Sequence, residues 1–111
     1  MRTGLWCCAA VAVLAVGAPG VVRAQEVTGA AVFHVRCAMC HGAEGRGNGP
    51  MAMALNPRPI DFTNPAKRLA TTDSAVRQVI RHGRRSMPAF SGQLSPAQVD
   101  SVAAYIKTLH R

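Results

Sequence analysis

Two thiols three residues apart, with an imidazole directly after the second, stand at Cys37-Ala38-Met39-Cys40-His41. On a turn of helix this spacing lets each sulfur add to one vinyl group along a porphyrin edge. His41 is then carried under the iron, so C-x-x-C-H reads as covalent haem attachment. The neutral imidazole supplies the proximal nitrogen, and its other ring nitrogen needs an acceptor to fix the ring. Three competing uses of these residues are weaker. A structural disulfide is the default in an oxidising compartment, but it leaves the adjacent histidine without a purpose. A thioredoxin-like dithiol wants a βαβ pattern and a longer chain. Zinc lacks a fourth ligand, because no second C-x-x-C or H-x-H follows.

A haem also accounts for a shortage in the composition. The chain has 111 residues, of which 5% are aromatic, too few to fill a small core unaided. A buried porphyrin adds the apolar surface of several side chains, and two thioether bonds staple the chain to it. The haem-free chain is therefore expected to be poorly folded. Hydrophobic residues at 49% against charged residues at 16% exclude a polar disordered chain, and the length excludes a multidomain enzyme.

Residues 1–24 read as a secretory signal. Arg2 gives a positive start, residues 5–16 are continuously apolar, Pro19-Gly20 breaks the run, and Ala24 ends a segment suited to cleavage. The run is short of the roughly 20 residues that span a membrane, although an uncleaved anchor reaching Val22 is the alternative. Cys7 and Cys8 leave with this segment, and a lipid-attachment reading of the pair is weak, because Leu5 and Trp6 stand where small residues would be wanted. The remaining domain, residues 25–111, loses Arg2 and Arg23, which takes the formal charge from +8 to about +6.

Within that domain the pattern is helical at both ends. Gly29, Val32, Phe33, Cys37 and Cys40 recur at steps of three and four, so one helical face leads onto the haem. A helix-interior glycine costs about 1 kcal/mol against alanine, which suggests that another backbone crosses close to Gly29. The crossing partner is expected to be the last helix. Ser95 caps it, Pro96 takes its first position, Gln98 completes a capping box, and Leu94 can staple against Val99. Val99, Val102, Ala103, Ile106 and Leu109 make its apolar stripe, with Tyr105 at the edge. A third helix begins at Asp73 or Ser74 and ends at His82, with Val76, Val79 and Ile80 inward and Gly83 as its stop. The glycines from Gly42 to Gly49 and the prolines Pro50, Pro57, Pro59 and Pro65 predict loops rather than strands, with a helical turn near Met51 to Leu55. The expected fold is all-α: three main helices and long loops around one haem.

At this level the chain resembles class I cytochrome c along essentially all of residues 25–111. The resemblance rests on Gly29 and Phe33 ahead of Cys37-x-x-Cys40-His41, then Gly49-Pro50, then Ile80-x-x-Gly83-x-x-x-Met87-Pro88-Ala89-Phe90, and a last helix with Tyr105-Ile106. It implies that the Gly-Pro carbonyl region, here at Pro50, hydrogen-bonds the proximal histidine, and that Met87 is the distal iron ligand. A short loop from His41 to Gly49, and no tryptophan after residue 24, make the chain look more like the small bacterial monohaem members.

Met87 is also favoured by chain length alone. It lies 46 residues beyond His41, enough to wrap the haem edge and return on its other face, and Pro88 stiffens the backbone beside it. Met51 and Met53 near the glycine-rich loop, and His82, remain alternatives, and a plain core methionine is the bland one. Met39 points from between the cysteines, while His34 and His110 read as surface residues. Two strong axial ligands would leave no open position for substrate or dioxygen, and the five acidic residues are scattered singly, so the reading is one-electron transfer rather than catalysis. A bound electron-input subunit of a larger oxidoreductase, and a haem enzyme or gas binder with a labile distal ligand, are the alternatives. Arg77, Arg81, Arg84 and Arg85 cluster before Met87, and Arg84 and Arg85 are candidates to dock an acidic or membrane-bound redox partner; the competing reading is a solvated helix face. Nucleic acid and small-molecule substrates are not expected, and export predicts a periplasmic location.

Overall fold

Thr28 starts the first helix by accepting a hydrogen bond from the Ala31 amide at 3.2 Å, and α1 runs Gly29–Arg36. The computed structural model describes residues 27–69 and 71–110, the side chains of 68 and 69 excepted, so residues 1–24, expected to be a secretory signal, lie outside the described residues together with Cys7 and Cys8. Cys37 sits at a small break in the helix. The chain keeps turning, because the Cys40 and His41 amides both donate to the Cys37 carbonyl at 3.1 and 2.9 Å, and α2 follows at Ala38–His41.

Gly29 is the first residue of α1 rather than an interior one, and it marks the crossing with the last helix. A Cβ built on it would stand 2.0 Å from the Ser101 carbonyl oxygen and 3.0 Å from the Tyr105 Cβ. That last helix, α5, spans Pro96–Thr108. Its capping box is present, with Gln98 N donating to Ser95 Oγ at 3.2 Å and Ser95 N donating to Gln98 Oε1 at 2.9 Å. Val32 and Phe33 from α1 pack against Val99, Val102, Ala103 and Ile106 from α5, and Leu94 and Ile80 complete this core. Phe33 is wholly buried and meets the Tyr105 ring at a centroid separation of 5.4 Å.

Between these helices the chain is mostly loop. Ala52–Ala54 forms a 3-10 turn where a helical turn is expected. Pro65–Leu69 forms a five-residue helix, α3, which the proline count argues against. The physical reason is position: a proline at the first helical residue lacks only an N–H that would be unpaired anyway, and Asn64 Oδ1 accepts from the Ala66 amide at 3.0 Å. Helix α4, Asp73–His82, is capped by Thr72, which accepts from the Ala75 amide, and ends at Gly83. It lies along α5, to which it is joined by Arg77–Asp100 at 2.8 Å and by Lys107 with Asp73. Both pairs are exposed and contribute little. Among the described residues there is no strand, only an isolated bridge between Arg84 and Met87.

Candidate functional site

A cavity of about 800 Å³ opens between the α1–α2 segment, the loop 55–62, α4 with its following turn, and α5. This is within the roughly 300–1,000 Å³ of ligand and cofactor pockets. Cys37, Cys40, His41 and Met87 all line it, together with apolar side chains such as Ile80 and Phe90.

The cysteines are free thiols and half-buried. Burial, reinforced by the neighbouring Cys40, pushes the Cys37 thiol up to about 11. It therefore stays protonated near neutral pH. His41 is 8% exposed. Burial lowers its affinity for a proton, opposed by its contact with the Ile60 carbonyl, so the neutral ring is favoured. His41 Nδ1 lies 3.3 Å from the Ile60 oxygen. A carbonyl only accepts, so Nδ1 carries the hydrogen and Nε2 keeps its lone pair.

The acceptor differs from the one that family resemblance places at Pro50. Gly49 is seated so tightly on α2 that a Cβ there would meet the Met39 and Ala38 carbonyls at 2.4 and 2.6 Å. Pro50, next to it, is exposed. The loop that reaches the imidazole is instead the proline-rich stretch ending at Ile60. It is pinned beyond that point by the Phe62 amide donating to the Gly45 carbonyl at 2.8 Å. No motif or periodicity in the sequence marks Phe62. Its ring stacks on His41, centroids 4.7 Å apart and 21° from parallel, and meets Phe33 edge-on at 6.4 Å. The one available signal was an aromatic just after the Pro57-x-Pro59 pair in an aromatic-poor chain.

The backbone after α4 doubles back to present Met87. The Arg84 and Met87 amides each donate to the other's carbonyl, at 3.0 and 2.9 Å, and Phe90 N donates to the Ile80 carbonyl at 2.9 Å. Met87 is half-buried. The other methionines among the described residues, Met39, Met51 and Met53, are exposed by 58%, 47% and 76% and do not line the cavity. His34, His82 and His110 are exposed and also lie away from it. Gly29, Phe33 and Tyr105 belong to the α1–α5 crossing behind the site rather than to its wall.

Arg58, Arg84 and Arg85 are exposed and contribute to the cavity lining. None of them takes part in the three ion pairs seen among the described residues. Arg77 is different, being occupied by Asp100 on α5.

These residues fit a haem. Two unpaired thiols border an apolar cavity that also receives a neutral imidazole of fixed tautomer and a soft thioether, a nitrogen and sulfur donor set suited to haem iron. No group of three or more His, Cys, Asp or Glu side chains able to hold a metal ion occurs among the described residues.

Comparison with known proteins points the same way. The family model described as "Cytochrome C oxidase, cbb3-type, subunit III" matches residues 24–106. Cytochrome c6 of Thermosynechococcus vestitus is 36% identical over 101 residues, covering 90% of this chain and 84% of that protein. Dihydro-heme d1 dehydrogenase of Pseudomonas aeruginosa is 38% identical over 88 residues, 76% of this chain but 15% of the larger protein. Among solved structures, the KustC0563 c-type cytochrome superposes with a TM-score of 0.67 at 22% identity, over 77% of this chain and 100% of that one, a likeness of fold.

Proposed function

The chain belongs to the cytochrome c family, and on that footing we propose that it is a monohaem electron carrier, with haem c attached through Cys37 and Cys40 and the iron held between His41 and Met87. The observation that carries this reading is the convergence of those four side chains on one apolar cavity. When bound, the haem supplies one-electron exchange between ferric and ferrous iron. The protein's part is to hold and shield it. Cys37 and Cys40 fasten the porphyrin edge, and the Ile60 carbonyl and the Phe62 ring keep the His41 imidazole in one tautomer and one plane. Met87 would hold the iron as its second protein ligand, and its soft sulfur would favour the ferrous state and a high potential. With His41 and Met87 both holding the iron, no open position would be left for substrate, which supports a carrier rather than a catalyst.

Arg84 and Arg85, exposed at the mouth of the cavity, are the proposed docking residues. Their charge would steer an acidic redox partner toward the haem edge. Export to the periplasm, with residues 1–24 removed, rests on the positive start at Arg2, the apolar run of residues 5–16 and the small residue Ala24. No helix among the described residues is long and apolar enough to cross a membrane.

Visible spectra of the purified holoprotein test the ligand set. The ferric form should show the weak far-red absorption of methionine sulfur on iron. Met87→Ala should abolish it, lower the potential and admit carbon monoxide to the ferrous form. If Met51→Ala or Met53→Ala did this while Met87→Ala did not, the distal assignment would be wrong.

A further inference from the structure

A side-chain hydrogen bond ties the turn that presents Met87 to the 57–60 loop, another part of the cavity lining. Ser86 Oγ donates to the Pro57 carbonyl at 3.0 Å, joining positions 29 apart in the chain. Pro57 opens the stretch 57–60, and the carbonyl at the end of that stretch accepts from His41. One short loop thus touches the supports of both proposed axial side chains. The turn itself is small. The Arg84 and Met87 amides close it, and Arg85 sits at φ 54, in the left-handed region that non-glycine residues seldom occupy. The hydrogen bonds from Phe90 to Ile80 and from Ser91 to Arg81 fasten the chain after Met87 to α4. To the 57–60 loop, the Ser86 hydroxyl is the turn's hydrogen-bonded contact among the described residues.

We propose that Ser86 is a positioning residue for the sixth coordination site: its hydroxyl straps the 84–87 turn to the 57–60 loop and keeps the Met87 thioether in place against competing ligands. The proposal rests on the reading of Met87 as an iron ligand. An external ligand can take that position only when the turn swings away, and the open form loses the Ser86–Pro57 bond. Removing the hydroxyl therefore raises the open fraction in proportion to what the bond contributes, and the apparent affinity for an outside ligand rises with it. A neutral hydrogen bond at a partly solvated site corresponds to a change of roughly 2- to 5-fold. The amide bonds of the turn are untouched, and Ser86 lies outside the left-handed region, so a β-branched residue meets no backbone strain there.

The test uses ferric holoprotein titrated with imidazole while the far-red band is followed. Ser86→Ala should bind imidazole roughly 2- to 5-fold more tightly than the parent, and its ferrous form should take up carbon monoxide faster. Ser86→Thr, which keeps the hydroxyl, should behave as the parent does. If Ser86→Ala fails to retain haem, Ser86→Cys, close in size but a weaker donor, carries the same expectation. Equal imidazole affinity in parent and Ser86→Ala, with the far-red band present in both, overturns the strap alone, as does a Ser86→Thr protein that follows Ser86→Ala. A parent without the far-red band, whose imidazole affinity is unchanged by Met87→Ala, would remove the Met87 reading and the strap with it.

Discussion

Gly29→Ala is a substitution whose sign separates local propensity from tertiary packing. At an open helical position alanine is favoured over glycine by up to about 1 kcal/mol. Here the added methyl would stand 2.0 Å from the Ser101 carbonyl oxygen and 2.6 Å from its carbon. Real Cβ contacts essentially never fall below 3.0 Å, so α1 and α5 must separate by on the order of an ångström. The obstacle is helical backbone, which has no rotamer to change. Phe33 and Val102, both 0% exposed, lie in the packing that would be opened. Overpacking of this kind costs about 1–3 kcal/mol, and an unyielding neighbour places it at the upper end. After the propensity gain the expected net loss is about 2 kcal/mol, which for a domain of this size lowers the melting temperature by roughly 8–16 °C. The assay is thermal unfolding of holoprotein, followed by circular dichroism at matched haem occupancy. Gly92→Ala is the control, since a Cβ there would meet no atom within 4 Å. A Gly29→Ala protein melting at or above the parent temperature would refute the argument that glycine is required by the crossing.

Two further predictions follow from the site. Cys37→Ala and Cys40→Ala should each weaken covalent haem retention, and the double variant should be almost haem-free and largely unfolded, because the haem supplies much of the core; a double variant with full helical circular dichroism and cooperative melting would contradict this. Arg84→Glu combined with Arg85→Glu should slow electron transfer to an acidic partner most at low ionic strength, and the deficit should shrink near 0.1 M salt, where the screening length is about 10 Å. Stopped-flow rates across a salt series, with the potential measured separately, check it, and equal low-salt rates would return these arginines to plain solvation.

Features whose physics is local are legible in the residues themselves. Cys37 to His41 is five contiguous residues, so the geometry of attachment is written in their spacing on one turn. The caps at Ser95 and Gln98 and the stop at Gly83 act within a turn of the backbone, and both stand where expected. The crossing at Gly29 was also legible, because a glycine on an apolar helical face signals a neighbour, although its place at the helix start was not. Helix α3 was hidden, since the same proline that bars a strand also suits a first helical turn. Tertiary structure alone decided the rest. The acceptor for His41 lies at Ile60, 19 positions away, and not at Pro50, because Gly49 is committed to the α2 carbonyls and a later loop has the approach to the ring. Phe62 stacks on that ring, and Ser86 reaches Pro57, through contacts that no periodicity or spacing encodes. Met87 was favoured from sequence by its 46-residue distance from His41 and by Pro88, with Met51 and Met53 as alternatives. The folded chain places Met87 in the cavity lining and leaves Met39, Met51 and Met53 exposed and outside it. Short-range sterics and hydrogen bonds are written residue by residue, whereas the meeting of distant segments is set by how the whole core packs.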